Sequence, residues 1–424
     1  MAEIHPFTGV RYDEKRFPLD QVTAPPYDVI SPSERDAFEV KHPNNVVRLI
    51  LGKEAPGDTE RENKYTRARG SLDAWMREKV LVRDAVPSYY ILSQEYTSKD
   101  GRRRRTLGII AELTLSPFGH GVVLPHEKTL SKPKEDRLKL FTATGANLSQ
   151  VFMLYRDDGA VRIYLEAAVS RPPLASFTDT AGVVNQLWAV PAESADAVSS
   201  AFRDKKLYIA DGHHRYETAV QYRDAQRALH GPNGAYDRVM IYMTEADDTA
   251  LSIYPTHRMV SGIPAHAVSA LPKAVGPLFT VTPLARDASH TSALGQERHS
   301  FVYVTREGAF RLTLKPNVDL GSEISGASPE VRSLDVTVLH RLILEPVFGI
   351  NAERLSEQTN ITYTRDDDEA LSAVASGSVQ AAFMLPATPL ASVLAVADEG
   401  SFMPQKSTYF FPKLPSGLVF RLMR

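Results

Sequence analysis

Apolar residues along the chain recur at two spacings, one typical of helices and the other of strands. Residues 61 to 79 carry an apolar residue every three or four positions, which predicts an amphipathic helix. Its apolar face consists of Tyr65, Ala68, Leu72, Trp75 and Met76. The runs SYYILSQEY and RRRRTLGIIAEL that follow are strand-like, and the Asp100-Gly101 pair between them is a strong hairpin signal. A helix followed by a hairpin is therefore expected in this part of the chain.

Strand-like and helix-like segments continue to alternate towards the C-terminus. VFMLYRD and VRIYLEAAV flank Asp157-Asp158-Gly159 and predict a second hairpin. LWAVP, SADAVSSAFRDKK and LYIAD then predict strand, helix and strand, and residues 331 to 349 predict a buried helix. The most apolar window, residues 381 to 397, contains two prolines and falls short of a membrane span, so a buried strand, a loop and a helix are expected there. This alternation predicts a mixed α/β fold.

Turn and capping signals mark the N-terminal part of the chain. The segment PPYDVI at residues 25 to 30 predicts an extended stretch that ends in a turn, because each proline restricts the residue before it. Ser31, Pro32 and Glu34 then form the signature of a helix start: a capping serine, a proline at the first helical position and a glutamate three residues after the serine.

Composition and charge narrow the class of protein. At 424 residues the chain exceeds what one core usually holds, so two or three lobes are expected. The formal net charge of −2 provides no overall basic field, and we expect no nucleic-acid partner. Cysteine is absent, which excludes disulfides and thiolate chemistry. The N-terminus lacks the apolar region of a secretory signal, so a cytoplasmic protein with no membrane partner is expected, in an undetermined oligomeric state.

The stretch LYIADGHHRYETAVQYR, residues 207 to 223, concentrates ionisable groups at a predicted chain reversal. Its first residues end a strand, and its last residues continue as an amphipathic helix. Asp211 therefore stands at the predicted N-cap of this helix, and Gly212 leaves room for close backbone approach. A helix N-terminus offers N–H donors and a positive dipole end, so this turn is a candidate anion site.

Four other stretches combine polar side chains with turn residues. They are PPYD with Tyr27 and Asp28, HEKT with His126, Glu127 and Lys128, PTHR with His257 and Arg258, and MPQKST with Lys406, Ser407 and Thr408. Each alone also fits a solvated loop or helix end, but we expect all five stretches to converge on one cleft suited to phosphate or carboxylate. The basic run Arg102 to Arg105 is instead interpreted as a solvated hairpin edge without a function.

A metal site is an alternative interpretation of the central stretch. His213 and Glu217 are four residues apart and His214 and Glu217 three, so a helix would present such a pair to one ion. The HExxH motif is absent, and Thr218 stands where the inverted motif has its second histidine. A metal-dependent hydrolase using His213, His214 and Glu217 is therefore kept as an alternative. A purely structural role, a cap with two hydrogen-bonded histidines, is the other.

Taken together, the five stretches resemble a family of uncharacterised bacterial and archaeal proteins that is known only as a domain of unknown function. The resemblance is carried by PPYDVIS, HEKTLSKPKEDRL, YIADGHHRYETA, PTHR and MPQKSTYFFPK, which span nearly the whole chain. It implies a family without implying an activity.

A narrower resemblance covers about residues 186 to 245. Strand, DGHHRY and helix are similar to the nucleotide-binding segment of the ParB and sulfiredoxin superfamily, especially the free serine kinases, which use a DGHHR sequence of the same kind. This implies a ParB/sulfiredoxin-like core over residues 186–262, flanked by an N-terminal α+β lobe over 1–185 and a C-terminal α/β lobe over 263–424. It also implies that nucleotide phosphates bind at Gly212, His213, His214 and Arg215. The chain is much larger than those kinases, and their short N-terminal acidic segment has no evident counterpart.

Residues and resemblance together predict a nucleotide-dependent phosphotransferase acting on a small hydroxylated metabolite, with free serine as one candidate. The predicted catalytic residues are Glu127, Asp211 and His213. The predicted nucleotide- and substrate-binding residues are Tyr27, Asp28, His126, Lys128, Gly212, His214, Arg215, Glu217, His257, Arg258, Lys406, Ser407 and Thr408. The predicted cofactor is ATP or ADP with Mg²⁺ held mainly on the phosphates. The alternative from another class is a nucleotide-binding switch without turnover.

Overall fold

The computed structural model describes residues 2–129, 131–191, 195–246, 249–285, 294, 298–357 and 359–423. The chain forms two compact units. The first unit comprises Met1–Pro125, Thr129–Ser252 and Pro412–Arg424, and the second comprises His126–Lys128 and Ile253–Phe411. Each unit contains helices and its own sheet, so the fold is mixed α/β, as predicted. Within the described ranges, no helix combines the length and apolar character needed to cross a bilayer.

The strands in chain order are β1 (Ile4–His5), β2 (Val10–Tyr12), β3 (Leu81–Arg83), β4 (Ser88–Thr97), β5 (Arg103–Thr114), β6 (Val123–Leu124), β7 (Ala146–Asn147), β8 (Val151–Tyr155), β9 (Ala175–Thr178), β10 (Val184–Pro191), β11 (Leu207–Asp211), β12 (Arg238–Glu245), β13 (Ser252–Ile253), β14 (His257–Val260), β15 (Phe279–Leu284), β16 (Ser300–Thr305), β17 (Ala309–Leu314), β18 (Ile361–Thr364), β19 (Ala381–Met384), β20 (Phe410–Phe411) and β21 (Arg421–Leu422).

The helices are α1 (Leu19–Val22), α2 (Pro32–Lys41), α3 (Val47–Ile50), α4 (Lys64–Arg77), α5 (Ser131–Thr144), α6 (Arg162–Val169), α7 (Ala195–Phe202), α8 (His213–His230), α9 (Ala265–Ala274), α10 (Leu320–Glu323), α11 (Pro329–Arg332), α12 (Asp335–Leu339), α13 (Glu345–Phe348), α14 (Ala352–Glu357), α15 (Asp367–Ser376) and α16 (Leu390–Asp398). Short 3₁₀ turns occur at Tyr27–Val29 and Ala235–Asp237, and a π-helical segment, His340–Leu344, joins α12 to α13.

The first unit is built around one large sheet with the strand order β6-β11-β8-β12-β5-β4-β10-β9, and β1 also pairs with β5. Most neighbours are antiparallel, but β11 runs parallel to β6 and β12 runs parallel to β8. Ile109, Ile209 and Ile241 from three of these strands share one apolar core. Tyr216 and Ala219 of α8 belong to the same core, so the helix that follows β11 is fixed against the sheet.

The second unit contains a six-stranded antiparallel sheet with the order β15-β17-β16-β19-β14-β18. Met259 of β14 packs in an apolar core with Ala370 and Val374 of α15. Because successive strand residues point to opposite faces, the neighbouring Arg258 points away from that core. Its guanidinium Nε donates to Nε2 of His340, at a distance of 3.3 Å, in the helical segment that covers the other face.

The helix and hairpin predicted for residues 61 to 114 are confirmed. Helix α4 buries Ala68, Leu72 and Trp75 on the predicted face. Strands β4 and β5 pair as a hairpin around Asp100-Gly101. The adjoining arginines are largely solvated, with 84% of the Arg103 side chain exposed. However, β5 lies between β4 and β12, so the predicted edge is an interior strand whose first residues extend beyond β12.

The capping and apolar signals elsewhere are also confirmed. Ser31 and Glu34 form a capping box at the start of α2. Residues 331 to 349 are helical over α11, α12, the π-helical segment and α13, although the π segment has no sequence signal that we recognised. The apolar window at 381 to 397 contains β19, a loop and α16.

The predicted hairpin at Asp157-Asp158-Gly159 is wrong. The strand-like run VRIYLEAAV folds as α6, which directs Leu165 into the apolar core. Asp157 accepts hydrogen bonds from the backbone N–H groups of Val161 (3.1 Å) and Arg162 (3.3 Å), which stabilises the start of the helix. Capping of these N–H groups and burial of one face outweigh the turn preference of the Asp-Gly pair.

The two units divide the chain differently from the three predicted lobes. The predicted boundary at residue 185 falls inside β10, which pairs along its whole length with β4 of the predicted N-terminal lobe. Strands β11 and β12 of the predicted 186–262 core belong to the same sheet as β4 and β5. The pairing partners are distant in sequence, so no linker or change in composition marks them. A ParB-like character for this sheet stays a prediction.

Candidate functional site

The site in the first unit begins where β11 ends at Asp211 and the backbone turns at Gly212. Gly212 has φ 92° and ψ 29°, a left-handed conformation, and occupies the N-cap position of α8. The prediction that Asp211 occupies the N-cap is therefore wrong, because Gly212, which has no side chain, takes that position. Gly212 separates Asp211 from the first helical turn by one residue. The Asp211 carboxylate therefore points to other partners.

The Asp211 carboxylate contacts two cationic side chains. Its Oδ1 lies 2.6 Å from Nζ of Lys413, and its Oδ2 accepts a hydrogen bond from Nη2 of Arg215. Burial alone would raise the pKa of Asp211, but the charges of Lys413 and Arg215 outweigh burial and hold that pKa well below its usual range. Asp211 is thus an ionised carboxylate that holds two cations beside the start of α8.

Arg215 folds back over Gly212 to reach Asp211. The guanidinium also donates from Nη1 to the carbonyl of Gln150 in the loop before β8. A Cβ atom at residue 212 would lie 2.8 Å from Nε of Arg215, closer than such contacts occur. Glycine is therefore needed both for the positive φ and for the folded-back position of Arg215.

The two histidines of the motif occupy the first turn of α8. His213 is buried, and its charge in the protonated form would add to those that lower the pKa of Asp211. His214 is half-buried. Tyr216, one turn into the helix, is fully buried, and its hydroxyl donates to the carbonyl of Ser116 over 2.7 Å. This bond and the stacking of Tyr216 on Phe118 fix the rotation of the helix about its axis.

Tyr27 of the PPYD stretch lies in the same unit and within electrostatic reach of the pair. Burial and the neighbouring charge of Asp28 raise the pKa of Tyr27 to about 12, while Arg137 and Arg215 act in the opposite direction. The guanidinium of Arg137 stands 3.9 Å from the centre of the Tyr27 ring, which is a cation–π contact. Arg137 and Arg215 also line a small cavity of about 50 Å³. The PPYD and DGHHR stretches are thus neighbours in the fold.

Glu217 does not face a metal site with the histidines. Its carboxylate is 2.9 Å from Nζ of Lys134 and accepts a hydrogen bond from the Thr129 hydroxyl. In the part of the chain that the structure describes, no group of three or more His, Asp or Glu side chains is placed to hold a metal ion. The geometry therefore does not support the ligand set of the alternative hydrolase.

Residues of the other three stretches meet one another inside the second unit. Oε1 of Glu127 accepts a hydrogen bond from the backbone N–H of Lys406 (3.3 Å), and a ring nitrogen of buried His126 lies 3.3 Å from the Thr408 hydroxyl. Lys128 is exposed, with its ammonium 5.7 Å from the centre of the Phe402 ring. Ser407 is buried and donates to the carbonyl of Pro404.

The PTHR stretch supplies two buried basic residues to this second group. His257 has one ring nitrogen 2.5 Å from Oδ1 of Asp367 and the other 3.3 Å from the N–H of Leu385, so Nδ1 accepts and Nε2 donates. Arg258 is 1% exposed and donates to the carbonyl of Lys406 (3.1 Å). The predicted site residues thus form two groups, one in each unit, and their convergence on a single cleft stays a prediction.

Sequence reasoning missed Lys413 and noted Arg137 only as one of the cations that follow HEKT. Lys413 lies in the PKLP segment that follows MPQKST, but only Lys406 of this region was assigned to the site. The sequence signal for Lys413 is its position between two prolines. They restrict the backbone and so limit the directions in which the lysine side chain can point. Arg137 stands among other charged residues of α5, and its contact with Tyr27 has no local signal.

A protein-family model described as a protein of unknown function (DUF1015) matches residues 4–337. No curated protein matches the sequence. Among solved structures, a conserved hypothetical protein from Pyrococcus furiosus is 14% identical with a TM-score of 0.36, and the match covers 69% of this chain and 89% of that chain.

Two further solved structures show a likeness of the same kind. A free serine kinase in complex with AMP is 14% identical with a TM-score of 0.36, over 68% of this chain and 83% of that chain. C-terminally truncated SbnI from Staphylococcus aureus is 11% identical with a TM-score of 0.35, over 69% and 82%. All three are distant likenesses.

Proposed function

We propose that this chain, which belongs to the DUF1015 family of proteins of unknown function, binds a nucleotide at the Asp211–Arg215 turn and transfers a phosphoryl group to a small hydroxylated metabolite, with serine the first acceptor to test. The observation that carries the proposal is the ion-paired arrangement of Arg215 and Lys413 around one carboxylate at the start of an 18-residue helix. Phosphoryl transfer depends mainly on positioning and on neutralising phosphate charge, which such an arrangement supplies.

The turn has the donors that a phosphate requires. The first N–H groups of a helix have no partner within the helix, and Gly212 at the N-cap of α8 has no side chain that would separate them from a ligand. Arg215 uses two of its nitrogens in the hydrogen bonds to Gln150 and Asp211, and a guanidinium has five N–H donors. Two cations around one carboxylate leave an excess of positive charge. We assign phosphate binding to Gly212, His213, His214 and Arg215, with Lys413 added to the predicted set.

Asp211 is better suited to positioning than to proton abstraction. A general base works best when its pKa lies near the working pH, and the two cations hold the pKa of Asp211 far below it. We therefore propose that Asp211 orients Arg215 and Lys413. Glu127 was the other predicted base, and turnover by a Glu127→Gln variant tests that role separately.

The remaining predicted residues keep their roles as proposals. Tyr27 and Asp28 would complete the first-unit group, with Glu217 fixing Lys134 beside it. The second-unit group, proposed to take part in substrate binding, consists of His126, Lys128, His257, Arg258, Lys406, Ser407 and Thr408. Mg²⁺ would be held mainly by the nucleotide phosphates, because it keeps several waters and binds proteins through few ligands.

Calorimetric titration of the full-length protein with ATP, ADP and AMP in the presence of Mg²⁺ tests the binding site. Arg215→Met should weaken ATP binding by about tenfold or more, since a charge-assisted hydrogen bond is worth about 1.5–3 kcal/mol. Arg227→Met is the matched control, because Arg227 is also an ion-paired arginine of α8 but lies at its other end, 2.6 Å from Asp237.

ATP binding that is absent in the wild type, or equally weakened by both variants, would refute the nucleotide site. ADP release from ATP in the presence of L-serine and other small hydroxylated acceptors then measures turnover. The kinase proposal expects release that depends on an acceptor and is lost in Arg215→Met.

A nucleotide-binding switch is the second candidate, and the low pKa of Asp211 favours it, because the carboxylate nearest the proposed phosphates is a poor base. The switch expects tight binding with no acceptor-dependent turnover. Nucleotide affinity without ADP release across the acceptor set would therefore decide for the switch.

A further inference from the structure

The second unit contains a cavity that is lined by its own residues. Its volume is about 640 Å³, within the range of small-molecule sites. The cavity is lined by the α12–α13 helical segment, the residues just before and within α11, and residues 400–405, together with Lys128 and Tyr363. All of these residues belong to the second unit, so the cavity is a property of that unit alone.

The helical segment provides a polar wall of the cavity around its π-helical turn. Thr337, His340, Arg341 and Glu345 line the cavity from one side of this segment, and the π-helical turn begins at His340. π-Helical turns are rare and are frequent at functional sites, because the extra residue changes which side chains face one direction. This turn places His340 and Arg341 side by side on the cavity wall.

Thr337 lines the cavity, and its buried hydroxyl, which has no hydrogen-bond partner among the described residues, would turn toward the cavity on rotation about χ1. Thr337 is 3% exposed, and its Oγ1 has no hydrogen-bond partner among the residues that the structure describes. Buried hydroxyl groups are almost always hydrogen-bonded in folded proteins. A polar group of a ligand would supply the missing bond.

A buried cation stands behind the same wall. Arg258 donates to His340 and lies 5.4 Å from the centre of the Tyr363 ring, and both of those residues line the cavity. Its other hydrogen-bond partners are backbone carbonyls, and among the described residues no carboxylate contacts it. Because His340 accepts this bond, its imidazole is neutral and adds no charge. A buried charge without a counter-ion is unfavourable, and an anion nearby would stabilise it.

The charges around the cavity add up to an excess of positive charge. Lys128, Arg258 and Arg341 are cationic. Glu345 pairs with Arg341 at 3.2 Å, and Glu127 is close enough to Tyr363 to raise its pKa. These are three cations and two acids among the described residues, so the wall favours an anion.

The rest of the lining is apolar. It consists of Ile324, Val331, Ile350, Leu355, Phe402 and Met403. Phe402 is 36% exposed, at the end of the cavity next to Lys128. The lining therefore combines an apolar surface for a hydrocarbon or aromatic body with a cationic side for one acidic group.

We propose that this cavity is a binding site for a small organic anion, in which a carboxylate, sulfonate or phosphate group faces Lys128 and Thr337 and an apolar body packs between Val331 and Phe402. Lys128 and Arg258 belong to the second-unit group proposed above for substrate binding, so the proposal gives that group a ligand class. Its test uses no nucleotide and no turnover, so it can fail or succeed separately from phosphoryl transfer.

Two fluorescent probes that differ by one charged group test the site on the full-length protein. 1-Anilinonaphthalene-8-sulfonate carries an anionic group on an apolar body, and N-phenyl-1-naphthylamine has the same rings without the sulfonate. We expect one saturable site that binds the sulfonate more tightly than the neutral probe. Lys128→Met should weaken the sulfonate by about threefold to fivefold at low salt and leave the neutral probe unchanged. Lys273→Met, another exposed lysine of the second unit, is the control.

Two further variants separate a ligand role from a structural one. Thr337→Val removes a hydroxyl that makes no hydrogen bond within the described residues, so it should not lower the melting temperature, yet it should weaken the sulfonate. Ala327→Trp should fill the cavity and abolish saturable binding of both probes. Equal affinity for the two probes, saturable binding that survives Ala327→Trp in a folded protein, or sulfonate affinity unaffected by both Lys128→Met and Thr337→Val would overturn the proposal.

Discussion

The two units bury charge in opposite ways. In the first unit, the Asp211 carboxylate is shared by Arg215 and Lys413, so every charge in the group has an opposite charge in contact. In the second unit, Arg258 is almost fully buried, and its hydrogen bonds in the described residues go to neutral acceptors. Burial accordingly lowers the pKa of Arg258 to about 10, whereas ion pairing overrides burial at Asp211.

This difference predicts that substitutions in the two groups will cost different amounts of stability. Removing one partner from a buried ion pair leaves an unpaired charge and is strongly destabilising. A buried cation whose partners are all neutral has no ion pair to lose, so replacing it should cost less stability. Both tryptophans, Trp75 and Trp188, lie in the first unit, so tryptophan fluorescence reports that unit, while amide hydrogen exchange in β14 reports the second.

The largest expected effect is that of Asp211→Asn. Asparagine keeps the shape of the side chain but leaves Arg215 and Lys413 without a counter-charge, so the free energy of unfolding should fall by about 3 kcal/mol at pH 7. Urea unfolding followed by tryptophan fluorescence measures this. Asp224→Asn is the control, because Asp224 is 59% exposed on the same helix and pairs with Arg223.

The stability difference between wild type and Asp211→Asn should depend on pH. The folded-state pKa of Asp211 lies below the unfolded value, so its contribution is fully present above the unfolded pKa and is lost as the pH falls through the folded pKa. The difference between wild type and Asp211→Asn should be constant from pH 7 to about pH 5 and should shrink at lower pH. A difference that does not change between pH 7 and pH 3 would contradict the ion-paired assignment.

The next effect is that of Gly212→Ala. The positive φ and the overlap with Arg215 should together lower the free energy of unfolding by about 2 kcal/mol and weaken nucleotide binding. Gly231→Ala at the other end of α8 is the matched control, since Gly231 also has a positive φ but nothing lies near its added Cβ. If both variants lose the same stability and both bind nucleotide normally, the contact between Gly212 and Arg215 has no role.

Arg258→Met should have a smaller effect than Asp211→Asn. Methionine fills a similar volume and removes a buried charge, but two carbonyls and His340 lose a donor, so we expect a net loss of about 1–2 kcal/mol. Hydrogen exchange of the β14 and β19 amides measures it. A loss as large as that of Asp211→Asn would show that Arg258 has an acidic partner and would remove the contrast between the units.

At neutral pH the smallest effect is that of His340, which appears only as the pH falls. Burial and the charge of Arg258 hold the pKa of His340 well below its usual value. Because the folded pKa is the lower one, His340 stabilises the fold above the unfolded pKa near 6.5, and this contribution falls by at most about 1.4 kcal/mol for each pH unit below it. Exchange in β14 should therefore accelerate between pH 6.5 and pH 5 beyond the intrinsic rate. His340→Gln should remove that part of the dependence, and an unchanged profile would contradict it.

Local signals predicted local structure well where a side chain and its partner are close in sequence. The capping box of Ser31 and Glu34 and the hairpin at Asp100-Gly101 are examples. The failure at Asp157-Asp158-Gly159 has the same origin, because the turn preference is local whereas the burial of Leu165 is decided by the rest of the core. The Asp211 cap failed for a related reason, since Gly212 takes the capping position and leaves the carboxylate to distant cations.

The sequence indicated many of the residues of the candidate site but only some of the contacts between them. The sequence indicated that Gly212, Arg215 and Tyr27 belong to polar turns, and the fold brings these residues close together in the first unit. Lys413 is 202 residues from Asp211, so no spacing rule connects them. The second-unit cavity likewise depends on residues from 128 to 405.

By itself, the sequence determined the fold class, several of the longer helices and strands, and the turn at which Asp211, Gly212 and Arg215 meet, because apolar spacing, caps and glycine act over a few residues. Only the tertiary structure decided that Asp211 pairs with Lys413, that Arg258 is buried without an acid in contact among the described residues, and that β10, β11 and β12 join the sheet of β4 and β5. Those outcomes depend on which distant segments pack together, and the free energy of that packing is a sum over the whole core rather than a property of any local stretch.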